Sequence, residues 1–495
     1  MKGKCGMNHI KKVVVISMLI GLLAVVLVSC GDKSDVKDKD EKLKNDSVPA
    51  ATDEEVPERY KIKENLPDIT FDGYEFKILV EEYGAADIAA DEEIGEIFHD
   101  TVYHRNRVIE AKYDIELKSI TEIQTSYVSR IKNEILAGGN PYDLALCHGR
   151  DAANLSLDNM WADWNMLGYV DMSKPWWDHE LIKCLSIGEK VFLMSGDFNN
   201  YSFKMTSALV FNKNMMTNYD IPYPYNLVRD GKWTSEAFQG YLKDITRDLN
   251  GDGVIEHTSD QFGFVSWEAD SPYSFSFGFG SRIVMKDENN MPFLDMDIER
   301  TIRIVEHLYD IFTTHNSFLC TGDMGWGKDY AVFTDGRALF LDIKLDQIVT
   351  MLKAMEDDFG IVPIPKLDEN QEDYISFVNC HSTLMCLPVT NEAYERTGII
   401  LEALAAESYR KVTPAYYDVV LQIKTTRDEE SADMLDYVTR NRIWDMGYVY
   451  DIGGLTGYSN ILIKTQSKDF VSFYEKNENS AIKTLDKFIN KFTGD

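Results

Sequence analysis

A chain of 495 residues, 44% hydrophobic and 12% aromatic, is too apolar to be disordered and long enough to divide into two lobes of roughly 150 to 250 residues. Its 51 Lys and Arg against 82 Asp and Glu give a formal charge of −31, which argues against nucleic acid or an anionic membrane surface as a partner.

The first element is a leader. Lys2, Lys4, Lys11 and Lys12 precede an apolar run from Val13 to Val28. Charged-then-apolar is the order of a secretion signal, and the run is short of the roughly 20 residues a spanning helix needs. It ends in Leu27-Val28-Ser29-Cys30, which resembles the lipobox of bacterial lipoproteins. That resemblance implies a signal peptide at 1–29 and a diacylated Cys30 that anchors the mature chain to the outer face of the cell membrane. An uncleaved anchor helix is the alternative, and both place the protein outside the cytoplasm. Residues 30–68 are charged, poor in apolar side chains and broken by proline, which predicts a flexible tether.

The folded part is expected from residue 69. Phe76 to Val80 reads as a strand after the Asp72-Gly73 turn signal. Ile94, Phe98, Val102, Ile109 and Tyr113 recur near helical spacing; Asp114 to Ile120 reads as strand, Tyr127 to Ala137 as helix, and Asp143 to Cys147 as strand after the Gly138-Gly139-Asn140-Pro141 breaker. This β-α-β-α-β order predicts a parallel sheet flanked by helices, with ligands met beyond the carboxyl ends of its strands. The loop His148-Gly149-Arg150-Asp151 stands at such an end.

Further on, Val191 to Met194 and Ala208 to Phe211 read as strands, and Ser235 to Thr246 as a helix capped by Thr234. Ala338 to Ile343 and Phe359 to Pro363 read as strands, and Asn391 to Asp445 as mostly amphipathic helix. No internal repeat is visible. Of seven cysteines, Cys5 lies in the leader and Cys30 ends the lipobox; the other five, Cys147, Cys184, Cys320, Cys380 and Cys386, form no metal-like or disulfide pattern and read as small buried apolar residues.

Asp248-Leu249-Asn250-Gly251-Asp252-Gly253-Val254-Ile255-Glu256 matches five of the six EF-hand loop positions that specify a residue type, with Asp248, Asn250, Asp252, Gly253 and Glu256 in place and Val254 supplying the backbone carbonyl. Position 12 is Ser259, so Asp260 or a carboxylate from elsewhere must complete the set. A sensor needs paired loops that move helices. A single loop without its Glu predicts a structural calcium ion, with an Asx-rich surface turn as the alternative.

Several stretches together resemble family 1 of the extracellular solute-binding proteins of bacterial ABC importers, of the maltose-binding-protein type. They are AGGNPYDL (137–144), SALVFNKNMM (207–216), GKWTSEAF (231–238) followed by the calcium-type loop and Asp260-Gln261-Phe262-Gly263, FTDGRALF (333–340) and DFGIVPIP (358–365). The run at 400–431 looks like the longer clostridial-type lipoproteins of that family. The resemblance implies an α/β, two-lobed periplasmic-binding-protein-like fold of type II, with discontinuous lobes joined by hinge strands. One lobe is expected at 69–200 and 380–427, the other at 201–379 and 428–495, with crossings near Tyr201 to Met205 and Phe377 to Ser382. It also implies calcium away from the cleft, a carbohydrate ligand, ABC permease subunits as partners, a monomer, and no catalysis.

Sugar recognition needs flat aromatic faces and planar polar groups. Trp176, Trp177, Trp267, Tyr273 and Trp326 lie in loop-rich stretches and are the aromatic candidates; Trp161, Trp164, Trp233 and Trp444 read as packing. His148, Arg150, Asp151 and Asp197 are the polar candidates, and by resemblance Asp342 marks a further contact stretch. The expected function is capture of an oligosaccharide by hinge closure and delivery to a permease. The alternatives are a membrane-anchored glycoside hydrolase, which needs two carboxylates at a defined separation, and a scaffold or adhesion lipoprotein.

Overall fold

In a computed structural model of the chain, residues 57–314, 317–422 and 429–493 are described. The leader, Cys30 and the tether as far as residue 56 lie outside the described residues. Among those described, no helix is long and apolar enough to cross a membrane.

The described chain opens with a one-turn helix at Glu58–Lys61, and residues 57–68, expected as tether, join the folded part instead: Ile62 and Leu66 pack on the first lobe's core and Arg410 pairs with Glu64. Then come a strand, β1 (Tyr74–Glu81), a helix, α1 (Ile97–Tyr113), β2 (Ile115–Glu122), α2 (Gln124–Leu136) and β3 (Leu144–His148). Phe76, Ile78 and Val80 of β1 pack on one face of the sheet and Leu79 on the other. A strand buried on both faces needs this continuous apolar run rather than alternation. In α1, Val102, Arg105, Asn106, Ile109 and Tyr113 are buried at helical spacing, and Asp114 ends the helix in the left-handed conformation at φ 48°. The helix starts at Ile97 rather than near Ile94, which is 55% exposed.

α3 (Gly149–Leu157) follows β3 without a break. After a loop-rich stretch the chain leaves the first sheet through a one-turn helix at Tyr201–Lys204 and enters β4 (Ser207–Asn212). The expected strand at Val191 to Met194 is only a bridge between Met194 and Met385, because the surrounding chain turns away from the sheet edge. The helix capped by Thr234 is α4 (Ser235–Leu242); it stops at Leu242, and the calcium-type loop follows.

The second sheet collects β4, β5 (Phe262–Trp267), β6 (Phe318–Cys320), β7 (Ala338–Lys344) and β8 (Phe359–Val362). Between β5 and β6 lies α5 (Ser271–Gly278). β5 runs parallel to β6 and β7, while β4 is antiparallel to β7 and β8. Gly360 of DFGIVPIP has a packing reason: a Cβ there would stand 2.3 Å from the Phe211 ring. The chain then returns through Ser376 to Ser382 into β9 (Thr383–Cys386), which pairs antiparallel with β3.

The two sheets share one plan. The first is ordered β2-β1-β3-β9 and the second β6-β5-β7-β4-β8. In each, the three parallel strands are ordered second, first, third, and the next strand is the antiparallel one that arrives straight from a crossing. The crossings touch: Thr206 bridges Val378, and the Asn379 amide donates to the Met205 carbonyl at 3.1 Å. This contact is the hinge.

α6 (Tyr394–Glu407) packs into the first lobe's core, while Met434, Leu435 and Val438 of the helix at Glu429–Arg440 enter the second lobe's cores. From Trp444 on, the chain rests on both lobes. On the first lobe, Trp444 Nε1 donates to Asp178, the Tyr450 and Ser156 hydroxyls meet at 3.3 Å, and Lys190 donates to the Phe492 carbonyl at the end of α7 (Phe470–Thr493). On the second, the Ile283 amide donates to Asp445 at 3.1 Å and the Tyr458 hydroxyl donates to Ser281 at 2.9 Å.

Candidate ligand cleft

The carboxyl ends of β1 and β3 lie side by side, and the His148 amide donates to Glu81 Oε1 at 3.1 Å. Immediately after β3, Gly149 donates its amide to the carbonyls of Cys380 and Ser382, both at 2.9 Å. A Cβ at Gly149 would lie 3.0 Å from the Cys380 oxygen, so this residue lets the return crossing run close against the loop. As a result the His148 ring meets His381 of the crossing edge-on, with centroids 4.9 Å apart. Burial pushes the His148 imidazole down to about 3, with His381 and Arg150 adding to the effect.

Arg150 turns toward the C-terminal segment. Its guanidinium lies over the Tyr448 ring at 5.4 Å, and Nη2 donates to the Tyr448 carbonyl at 3.2 Å. Tyr448 also contacts the Tyr273 ring, with centroids 4.9 Å apart, and takes a hydrogen bond from the Cys380 thiol. One tyrosine thus joins the first-lobe loop, the return crossing and the second lobe. Asp151, half-buried beside Arg150, has its carboxyl pushed up by burial.

On the second lobe, β5 ends in half-buried Trp267, and Asp270 precedes α5. Asp270 binds Lys344 Nζ at 2.5 Å and accepts from Asn379 Nδ2 at 2.7 Å. Burial opposes its ionisation, yet Lys344 and His381 hold its carboxyl below the usual range. Asp342, two residues before Lys344 on β7, is 3% exposed; Asp329, beyond β6, is fully buried. Burial pushes both carboxyls up to about 6. Trp326 stands between Gly325 and Gly327, whose φ of 89° and 92° shape a tight turn, and is 58% exposed against Tyr330.

His148, Arg150, Asp151, Tyr273 and Asp342 therefore gather where the carboxyl edges of both sheets face the crossings, with Trp267 and Trp326 on the second-lobe side. Trp176 and Trp177 do not join them. Both are packed in the first lobe's core, 0% and 3% exposed, with Trp177 Nε1 donating to the buried carboxylate of Glu402 at 3.0 Å. The KPWWD loop doubles back onto the core, so its indoles face inward. Trp161, Trp164, Trp233 and Trp444 are buried as read from the sequence. Asp197 lines a separate crevice of about 310 Å³ with Trp177, Asn200, Phe203 and Arg442; it accepts from Thr413, and burial pushes its carboxyl up to about 7.

Glu81, Asp270, Asp329, Lys344, His381 and Tyr448 escaped the sequence reading. Glu81 lies one residue past the strand expected at Phe76 to Val80, and that position is the one available signal. The others depend on the crossings and the C-terminal segment being brought together from positions far apart in the chain.

In the calcium-type loop, Gly251 and Gly253 adopt φ of 78° and 83°. Asp248 accepts the Gly251 and Gly253 amides at 2.6 and 2.7 Å, and Asp260 accepts those of Leu249 and Glu256 at 2.9 and 2.8 Å. Asn250 and Asp252 accept the amides two residues on. The all-oxygen donor set suits a hard cation, but its carboxylates here fasten the loop's own amides. Among the described residues no three His, Cys, Asp or Glu form a metal-holding group. The five cysteines beyond the leader are free and at least partly buried, and Cys380 and Cys386 form no bridge.

No family model and no curated protein matches the sequence. Solved structures match the fold. The ABC substrate-binding protein from Listeria monocytogenes in complex with cycloalternan aligns at TM-score 0.52 and 12% identity over 86% of this chain and all of that one. The GacH receptor of Streptomyces glaucescens, solved unliganded and with acarbose, aligns at 0.52 and 12% over 85% of this chain and 98% of its own. A cyclo/maltodextrin-binding protein complexed with maltotetraose aligns at 0.53 and 15% over 83% and 97%. The chain has the two-lobed α/β fold of these proteins.

Proposed function

We propose that this chain is a family 1 solute-binding protein, the capture component of an ABC importer, that closes its lobes over an oligosaccharide and presents the closed form to a membrane permease. The observation that carries the reading is the convergence of polar and aromatic side chains from both lobes and both crossings at the carboxyl edges of two sheets built on one plan. Contacts made to both lobes favour the closed state by the difference in affinity between states. The sugars in the three solved structures fit a cleft of this kind. Trp326 supplies an exposed aromatic face for a pyranose, and Arg150 and Asp151 supply planar polar groups. The same reading includes lipid anchoring through Cys30, a monomer, a non-catalytic cleft, and a structural calcium ion held by Asp248, Asn250, Asp252, the Val254 carbonyl, Glu256 and Asp260.

The test is thermal unfolding of the full chain against plant and microbial oligosaccharides. A ligand at one hundred times its dissociation constant adds about 2.7 kcal/mol to stability. A saturable rise with one sugar class and no product formed supports capture; product formation points to a hydrolase; no response to any saccharide removes the reading.

A further inference from the structure

The cleft carries more negative charge than its own cations answer. Glu81 and Asp151 on the first lobe and Asp270, Asp329 and Asp342 on the second are five carboxylates against the two cations Arg150 and Lys344. Both cations are already engaged. Arg150 is held by the Tyr448 ring and carbonyl, and Lys344 is paired with Asp270. The histidines do not answer the excess: burial pushes His148 down to about 3 and lowers His381, whose charge is felt by Asp270 and is not among the main influences on Asp329 or Asp342.

Asp329 and Asp342 are left over. They are 0% and 3% exposed, and no oxygen of either has a hydrogen bond. The nearest donors, the amides of Asp329 and Tyr330 and the Ser271 hydroxyl, favour the ionised forms but fall short of hydrogen-bond geometry. Asp342 feels the charge of Asp329 and both feel that of Asp270; Lys344 favours the ionised form of each but is itself bound to Asp270. Buried carboxylates without partners are costly. Neither one ties two elements together, so packing alone gives no reason for them. Among the described residues no metal-holding group includes them.

The geometry points to a ligand that brings the missing charge, an oligosaccharide bearing free amino groups whose ammonium groups dock on Asp329 and Asp342 as the lobes close. This rests on the reading of the cleft as a saccharide site. A neutral sugar supplies hydroxyl donors but leaves the charge, and a uronate adds to it. An ammonium supplies three donors and a positive charge at once, in the stronger, charge-assisted form of hydrogen bond. Trp326, exposed on the same lobe, supplies the sugar-ring face.

Titration calorimetry on the full chain in detergent at about pH 7, above the titration of Asp329 and Asp342, tests this with tetramers of glucosamine, N-acetylglucosamine, glucose and galacturonate. The glucosamine tetramer is expected to bind at least about tenfold tighter than its N-acetylated counterpart, and the uronate not at all. Asp329→Asn and Asp342→Asn are each expected to weaken glucosamine binding by about tenfold or more with an unchanged circular dichroism spectrum; if one variant fails to fold, the other decides. Equal binding of neutral and amino tetramers, or folded variants that keep full affinity, overturns the inference and leaves saccharide capture standing. No binding by any tetramer also overturns the inference, and saccharide capture is then decided by the wider thermal screen.

Discussion

Asp143 shows at the scale of one residue why a motif position is occupied as it is. Its carboxylate accepts from the Lys77 amide at 2.9 Å and the Tyr74 hydroxyl at 2.8 Å and faces Arg396 of α6 at 3.8 Å, tying β1, β3 and α6 together. Asp143→Ala leaves these donors unanswered and is expected to cost about 2 to 4 kcal/mol in urea unfolding, well above a surface change. Glu402 gives a pH prediction of definite sign. Burial pushes its carboxyl up to about 7, although the indole of Trp177 donates to it. The folded state therefore holds a proton that the unfolded chain releases from about 4.5 upward. Its contribution is present below that value and is lost as pH rises through about 7, at up to ~1.4 kcal/mol per pH unit. Glu402→Gln should remove that slope, so the variant gains on the parent between pH 5 and 7.5 when unfolding is followed by tryptophan fluorescence. An unchanged difference across that range would count against the assignment. Neither role was visible beforehand, because Asp143 and Glu402 act through partners 66 and 225 residues away.

At the scale of elements, local pattern was enough wherever one strand or helix decides its own form. The apolar run of β1, the spacing in α1 and the Thr234 cap of α4 were legible for that reason. Val191 to Met194 and the tryptophans of KPWWD were misread because the same residues serve equally well in a loop folded onto a core, and only tertiary packing chooses. The loop from Asp248 to Asp260 sits at this scale too. Its carboxylates are fastened to its own amides. If calcium binds as proposed, millimolar calcium should raise the melting temperature and Asp248→Ala should abolish the rise. Since Asp248 also holds the Gly251 and Gly253 amides, the variant is expected to lose about 1 to 2 kcal/mol even in chelator.

At the scale of the molecule, the shared sheet plan was invisible in sequence because it repeats topology and not residues: β1 and β5 read YEFKILVE and FGFVSW. Their common order nevertheless sets both carboxyl edges toward the crossings, and that placement decides how the chain can move. The crossings are bonded to each other at Thr206, Val378, Met205 and Asn379, and the segment after Trp444 rests on both lobes. Closure as proposed would pivot on these contacts, with the junction of β3 and α3 at 148–151 and the turn at 321–327 approaching each other. Hydrogen exchange should show the crossing amides equally protected with and without sugar. The β3–α3 junction and the turn at 321–327 should gain about tenfold in protection, ~1.4 kcal/mol, only when it is bound. Crossing amides that change as much as the loops would mean that the hinge itself melts on opening, and closure would then be a local folding event and not a rotation about a fixed contact.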